Sequence, residues 1–178
     1  MELEWLSILN ESTAAREGGP LLMTLATVDD EHGVDARTVV CRDVGPSGTI
    51  WFTSDSRSNK NAQLAVNAKA AGVIWLPLCR RQFRFRGSVE TVASSDQRSR
   101  IWSPLTDATK ATFFWPTPGA ERTSEQFDDA GDFTNPPDAF SVLKLSPLHV
   151  DLLELEGSPH RRRRWQSSRA WQAEELNP

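Results

Sequence analysis

The sequence predicts a mainly β protein, a small closed β-barrel with helical covers, in a single domain spanning residues 1–178. Three observations predict it. Short runs of apolar and β-branched residues follow one another between turn-forming clusters, one long run alternates strictly in polarity, and helical spacing is confined to a few stretches. At 178 residues the chain is long enough for one sizeable core and short for two ordinary domains.

The elements follow in order. Residues 2–16 place Leu3, Leu6 and Leu9 at helical spacing, and Gly18-Gly19-Pro20 stops that helix. Leu21 to Val28 is the first β run, and the turn-forming segment 29–33, with His32 in it, leads to a second from Ala36 to Arg42. The turn Gly45-Pro46-Ser47-Gly48 then opens a third strand, Thr49 to Thr53, which completes a meander. Residues 58–66 read as a short helix with Ser58 able to cap its free N–H groups.

Ala70 to Leu76 reads as a buried strand, and Arg81 to Val92 as an alternating one. In the latter, Gln82, Arg84 and Arg86 share one face while Phe83 and Phe85 share the other. Segment 95–114 reads as two helical pieces broken at Pro104, and 115–137, rich in proline, as a loop. The C-terminal part, 140–178, holds strands from Phe140 to Leu145 and Val150 to Leu155, the run His160 to Trp165, and a last short β run around Trp171.

Composition narrows the function. Twenty-four carboxylates against 20 Lys and Arg leave a mildly acidic chain with no general attraction to nucleic acid or to an anionic membrane. Cys41 and Cys79 form no close-spaced metal or redox pair and no disulfide framework, which suits a reduced, cytoplasmic setting. The first 20 residues lack the apolar core of a signal peptide, and no later run approaches the length of a bilayer span. His32, His149 and His160 share no metal-like spacing, so no metal is expected, and no nucleophile elbow or Walker motif is present.

Four constellations could carry chemistry. Arg37 opens a strand with Val39 and Cys41 on its own face; it is either an exposed strand-end residue or a half-buried cation in need of an anion. The segment Thr53-Ser54-Asp55-Ser56-Arg57-Ser58-Asn59-Lys60 leaves a strand and enters a helix. Its hydroxyls, N-terminal N–H groups and lysine suit either a phosphomonoester or an ordinary helix cap. The Gln82–Arg84–Arg86 face meets solvent, a ligand or a partner chain. In the run Arg161 to Arg164, strand alternation sends Arg161 and Arg163 one way and Arg162 and Arg164 the other.

Together the Arg37-Thr-Val-Val strand, the Phe52 to Lys60 turn, the Arg81-Gln82 strand with Gly87, and the closing Pro159-His160-Arg161-Arg162 segment resemble the pyridoxamine 5′-phosphate oxidase family in order and spacing, over about residues 20–178. The resemblance implies an FMN-binding split β-barrel, working as a homodimer with FMN in clefts between subunits. It implies that Arg37, Ser58 and Lys60, with Asn59 beside them, meet the phosphate. It further implies that the backbone of Thr38, Val39 and Val40 lies along the isoalloxazine, and that Thr53 and Ser54 add contacts. Arg81, Gln82 and Arg164 would reach the ring from the second subunit. Arg42, His160, Arg161 and Arg163 would place the substrate.

The chain also departs from the family. Asn59 stands where an arginine is usual and Arg42 where a lysine is usual, and there is no tyrosine at all to hold a substrate phosphate. Arg98, Arg100, Trp102 and Ser103 offer only ambiguous counterparts for the rest of that substrate clamp, and two residues are inserted ahead of His160. The implied function is an FMN-dependent oxidoreductase whose flavin takes a hydride from a small substrate, such as a vitamin B6 5′-phosphate, and passes it to oxygen. The alternatives are an NAD(P)H-dependent FMN reductase and a non-catalytic FMN-binding module; a nucleic-acid role ranks last.

Overall fold

The computed structural model describes residues 3–14, 18–29, 31, 33–123, 127 and 131–178. The outer residues of the expected N-terminal helix (2, 15 and 16), Asp30 and His32 of the first turn, and parts of the 115–137 loop lie outside them.

Helix α1 runs Glu4–Ala14 and strands β1 to β3 run Leu21–Asp29, Gly33–Val44 and Ile50–Asp55. After α2 (Asn59–Val66) come β4 (Lys69–Leu76), β5 (Arg81–Thr91), α3 (Ser95–Trp102) and α4 (Asp107–Ala111). Strands β6 (Phe140–Glu154), β7 (Arg161–Gln166) and β8 (Glu174–Leu176) complete the order. The strands form one antiparallel sheet, β3-β2-β1-β4-β5-β6-β7-β8, and a further β3–β6 pairing closes the first six into a barrel. No helix among the described residues is long and apolar enough to cross a membrane.

Strand β6 shows where the barrel splits. One edge pairs with β5 from Thr91↔Leu143 to Arg81↔Glu154. On the other edge, residues 140–145 pair with β3 and residues 149–154 pair with β7. The sequence suggested two strands separated at Ser146-Pro147-Leu148-His149; the structure corrects this to one 15-residue strand that changes partner there. Pro147, with no N–H to donate, occupies the gap between the two partners, the kind of place where a strand tolerates proline. Opposite it β5 carries a register shift between Arg86 and Gly87. A Cβ on Gly87 would lie 2.0 Å from the Ser146 carbonyl oxygen and 2.9 Å from Pro147 Cα, so the crossing backbones require glycine.

Two other expectations need correction. Trp171 is not in a strand: it follows a short 3₁₀ turn with φ +60°, packs on Trp5 at 5.9 Å between centroids, and the last strand is β8. Ser58 occupies the N-cap position of α2, but its side chain makes no capping hydrogen bond.

The register sorts the side chains into two faces. The inner face carries Met23, Leu25, Phe83, Phe85, Val150, Leu152 and Trp165, all fully buried and covered at one end by Trp5 and Leu9 of α1. On the outer face one row, Thr38, Thr24, Val73, Arg84, Asp151, Arg164 and Glu174, crosses seven strands by direct pairing. A second cluster, Trp102 and Phe113 against Phe140 at 4.8 and 4.9 Å, seats α3 and α4 beside the β3–β6 seam.

Candidate functional site

Where β2, β3 and the start of α2 meet, a cavity of about 620 Å³ opens. Its floor is Thr38, Val39, Val40 and Arg42 of β2 with Thr53, Ser54 and Asp55 of β3, and Lys60 stands at one end. Thr109, Thr112, Phe113, residues 115–123 and Phe127 form the opposite wall. Thus Thr38, Val39, Val40, Thr53, Ser54, Lys60 and Arg42, singled out from sequence, share one cavity. Strand alternation sets this up: Ser54 points inward and is buried, while Thr53 and Asp55 point outward.

Ser58 sits just behind the wall. Its hydroxyl donates to the Asp55 carbonyl (2.7 Å) and accepts from Lys60 Nζ (2.6 Å). Asn61 Nδ2, one turn into α2, lies 2.8 Å from Ser54 Oγ and 3.0 Å from Ser58 Oγ and keeps the two hydroxyls together. Asn59, exposed, is the first helical residue. Because Ser58's side chain does not cap α2, the N–H groups of Asn59 and Lys60 can meet an anion, while that of Asn61 donates to the Ser58 carbonyl (2.9 Å).

Arg37 lies on the inner face and outside the cavity wall. Its guanidinium pairs with Asp35, and it donates to Thr27 Oγ1 (2.6 Å), Gln63 Oε1 (3.2 Å) and the Leu25 carbonyl (3.4 Å). It is near enough to act on Lys60: burial pushes the Lys60 ammonium below the ordinary lysine range, and the Arg37 charge lowers it further. Two cations that disfavour each other, one at the end of a cavity and one outside its wall, are a setting that a phosphate relieves. Hydroxyls, an ammonium, uncapped helix N–H groups and a flat strand alongside fit a phosphorylated planar cofactor such as FMN.

The other predicted residues belong to the β5–β7 side and do not line this cavity. Gln82 and Arg164 lie on the outer face, as does Arg162, which pairs through Leu153 with Gln82. Arg81 faces the other way and bonds Glu154 (3.1 Å) and Ser12 (2.8 Å). Arg163 binds Glu4 (2.8 Å) and Glu154 (3.0 Å), and Arg161 binds Glu175 (2.9 Å). The structure therefore separates Arg161 and Arg163 from the face of Gln82 and Arg164. His160 is exposed just ahead of β7.

On the outer face Asp151 accepts from Arg84 (2.8 Å), Arg162 (2.8 Å) and Arg164 (3.4 Å). Burial works to raise its carboxyl, but hydrogen bonds from Arg162 and Arg84 outweigh burial and hold it at about 2. Every arginine of the 161–164 run has a carboxylate partner, so the run presents no free basic stripe.

Sequence reasoning missed the far wall and what holds it. Arg57, ion-paired to Asp55 (2.6 Å), donates to the Trp115 carbonyl (3.0 Å), while Ser56 donates from its N–H to the Ala139 carbonyl (2.8 Å) and from its hydroxyl to that of Asp138 (3.1 Å). One turn thereby fastens both ends of the segment that runs from Trp115 to Ala139. The available signal was an arginine two residues after an aspartate at the mouth of a phosphate-type turn.

The family model described as "Pyridoxamine 5′-phosphate oxidase, FMN-binding domain" matches residues 2–93. A pyridoxine/pyridoxamine 5′-phosphate oxidase of Mycolicibacterium gilvum is 35% identical over 107 residues, 58% of this chain and 48% of that protein. One of Thermosynechococcus vestitus is 36% identical over 88 residues, 49% of this chain and 41% of that protein. The matches thus span about half the length of these curated relatives or less. Among solved structures, a pyridoxamine 5′-phosphate oxidase-related, FMN binding protein from Nostoc punctiforme superposes with a TM-score of 0.89 at 27% identity, covering 98% of both chains. PhzG from Burkholderia lata, solved with tetrahydrophenazine-1-carboxylic acid, shares the fold at a TM-score of 0.77 and 18% identity, covering 98% of this chain and 90% of its own.

Proposed function

Because the chain belongs to the pyridoxamine 5′-phosphate oxidase FMN-binding family, a split β-barrel flavoprotein, we propose that it is an FMN-dependent oxidoreductase for a small substrate, working as a homodimer. The observation that carries this reading is the convergence of Ser54, Lys60 and the Thr38–Val40 strand on one cavity, with Ser58 directly behind. In this reading Ser54, Ser58, Lys60 and the N–H groups at Asn59 hold the phosphate, and Arg37 adds charge from the inner face. The Thr38–Val40 backbone and Thr53 flank the ring. When bound, FMN supplies two-electron redox chemistry, and the protein's share is orientation and electrostatics.

The dimer is supported by the outer face. Leu22, Val34, Trp75 and Leu148 are exposed there, and Ala26, Val28, Val34, Ala71 and Leu148 line an apolar groove of about 390 Å³. A second copy on this face would bring Gln82 and Arg164 to the first copy's flavin. Arg162 shares that face, so it joins Arg42 in placing substrate ahead of Arg161, Arg163 and His160. Arg81 would act by holding the β5–β6 edge through Glu154.

The test is the visible spectrum of the purified protein together with its sedimentation. A yellow dimer, bleached anaerobically by pyridoxamine 5′-phosphate or another small donor and recoloured by air, is the expected result. Bleaching by NADH or NADPH alone would replace it with an FMN reductase, a reading favoured by the absent tyrosine and by Arg42. A coloured protein that no donor reduces would be a binding module.

A further inference from the structure

A second cavity, about 570 Å³, lies between α1, the start of β1, residues 40–44 of β2 and the α3 end, and it shares Val40 and Arg42 with the first. We propose that this second cavity receives the apolar body of a monoanionic carboxylic acid substrate, whose carboxylate is gripped by Arg42 at the boundary between the two cavities. The proposal rests on the reading above, which lays the flavin along Thr38–Val40 and so places the acid against it.

Arg42 carries the argument. Its guanidinium is half-buried and donates a single hydrogen bond, from Nε to Thr53 Oγ1 at 3.3 Å, and it makes no ion pair among the described residues. The neighbouring carboxylate, Asp43, is taken by Arg100, whose Nη1 and Nη2 both lie 3.1 Å from it. The two terminal nitrogens of Arg42 therefore remain as an open fork. A cation removed from water in this way favours an anion, burial already pushes its pKa below the usual arginine value, and the planar fork matches a carboxylate in two parallel hydrogen bonds.

The rest of the lining selects the anion. Pro20, Leu21, Val44, Ile101 and Leu105 supply apolar wall, and Asn10 and Thr13 are the neutral polar groups at the α1 side. Among the described residues of this cavity Arg42 is the one cation and Asp43, held by Arg100, the one carboxylate, so the lining suits an anion of single charge better than a phosphate dianion. A carboxylate on an aromatic or aliphatic body is matched in both charge and polarity, and about 570 Å³ lies in the range of small-molecule sites.

Titrating the FMN-loaded protein with 2-naphthoate, 2-naphthalenemethanol and phenyl phosphate, read both by flavin absorbance and by calorimetry, tests this. Saturable binding of naphthoate is expected, with the uncharged alcohol weaker by about 10- to 100-fold. Arg42→Ala should lose about the same factor for naphthoate, Arg42→Lys should restore part of it, and Thr13→Trp should obstruct naphthoate while FMN retention stays unchanged. Phenyl phosphate binding tighter than naphthoate, or naphthoate affinity indifferent to Arg42→Ala, would overturn the proposal. Calorimetric binding that follows Arg42 without any change in flavin absorbance would keep the acid site and remove the flavin from beside it, which separates the two readings.

Discussion

Arg37 and Asp35 stand two residues apart on the same face of β2, and the aspartate holds the guanidinium that acts on Lys60 at one end of the cavity. Gln63 donates to Asp35 (3.2 Å) and its own Oε1 accepts from Arg37 and from Thr27, so the pair is embedded in a network at the barrel rim. Asp35 is thus a built-in competitor for charge that a phosphate would otherwise use. Asp35→Asn, which keeps an acceptor for Gln63 and removes the anion, should strengthen FMN binding by about three- to tenfold and leave riboflavin binding unchanged. Flavin fluorescence titrations with the two ligands check it; equal effects on both would show that Asp35 does not sense the phosphate.

Lys60 predicts a pH dependence. Burial and then Arg37 lower its pKa in the free protein, whereas a phosphate beside it would raise that pKa, so binding in the intervening window takes up a proton. FMN affinity should hold through neutral pH and fall as pH rises through the lowered lysine value, earlier than an ordinary lysine would dictate. Lys60→Met should weaken binding and flatten that alkaline fall. An unaltered profile in the variant, measured by equilibrium dialysis between pH 7 and 10, would relocate the phosphate.

How far the sequence disclosed this arrangement depends on the range of the interaction. Phe83 and Phe85 against Gln82 and Arg84 were legible because period-two alternation is a local property, and the same alternation separated Arg161 and Arg163 from Arg162 and Arg164. Which pair shares Gln82's face was not legible, because that depends on the cross-strand register through β6. The sequence read as two strands, Phe140 to Leu145 and Val150 to Leu155, because the exchange of β3 for β7 along one edge is visible only in three dimensions. The far wall of the cavity was hidden for the same reason: residues 115–123 have no periodicity, and their place is set by Arg57 reaching a carbonyl 58 positions away.

Asp151 ties stability to acid. Its carboxyl is held at about 2 against an ordinary 3.8, so its contribution, about 2 kcal/mol, is fully present above the unfolded value and is lost as pH falls from about 4 through 2. Asp151→Asn would leave Arg84, Arg162 and Arg164 sharing a neutral acceptor and should cost about 1–3 kcal/mol at pH 7. Urea denaturation at pH 7 and pH 3 measures both, and the variant's difference between the two should be smaller than the wild type's by about 1 kcal/mol.

Arg57 joins the phosphate-type turn to the wall over the cavity, and this coupling can be measured without knowing the substrate. Its guanidinium bridges Asp55, whose carbonyl also anchors Ser58 and Asn61, to the Trp115 carbonyl. Removing it takes away one of the ties on the start of the 115–139 segment while Ser56 still holds the end. Arg57→Ala should therefore speed FMN dissociation by about three- to tenfold, with a smaller effect on the association rate, because the wall opens from one side only. Limited proteolysis should cut the variant near Trp115 faster than the wild type, and added FMN should slow the cut in both. If dissociation is unchanged while proteolysis rises, the wall moves independently of the bound flavin.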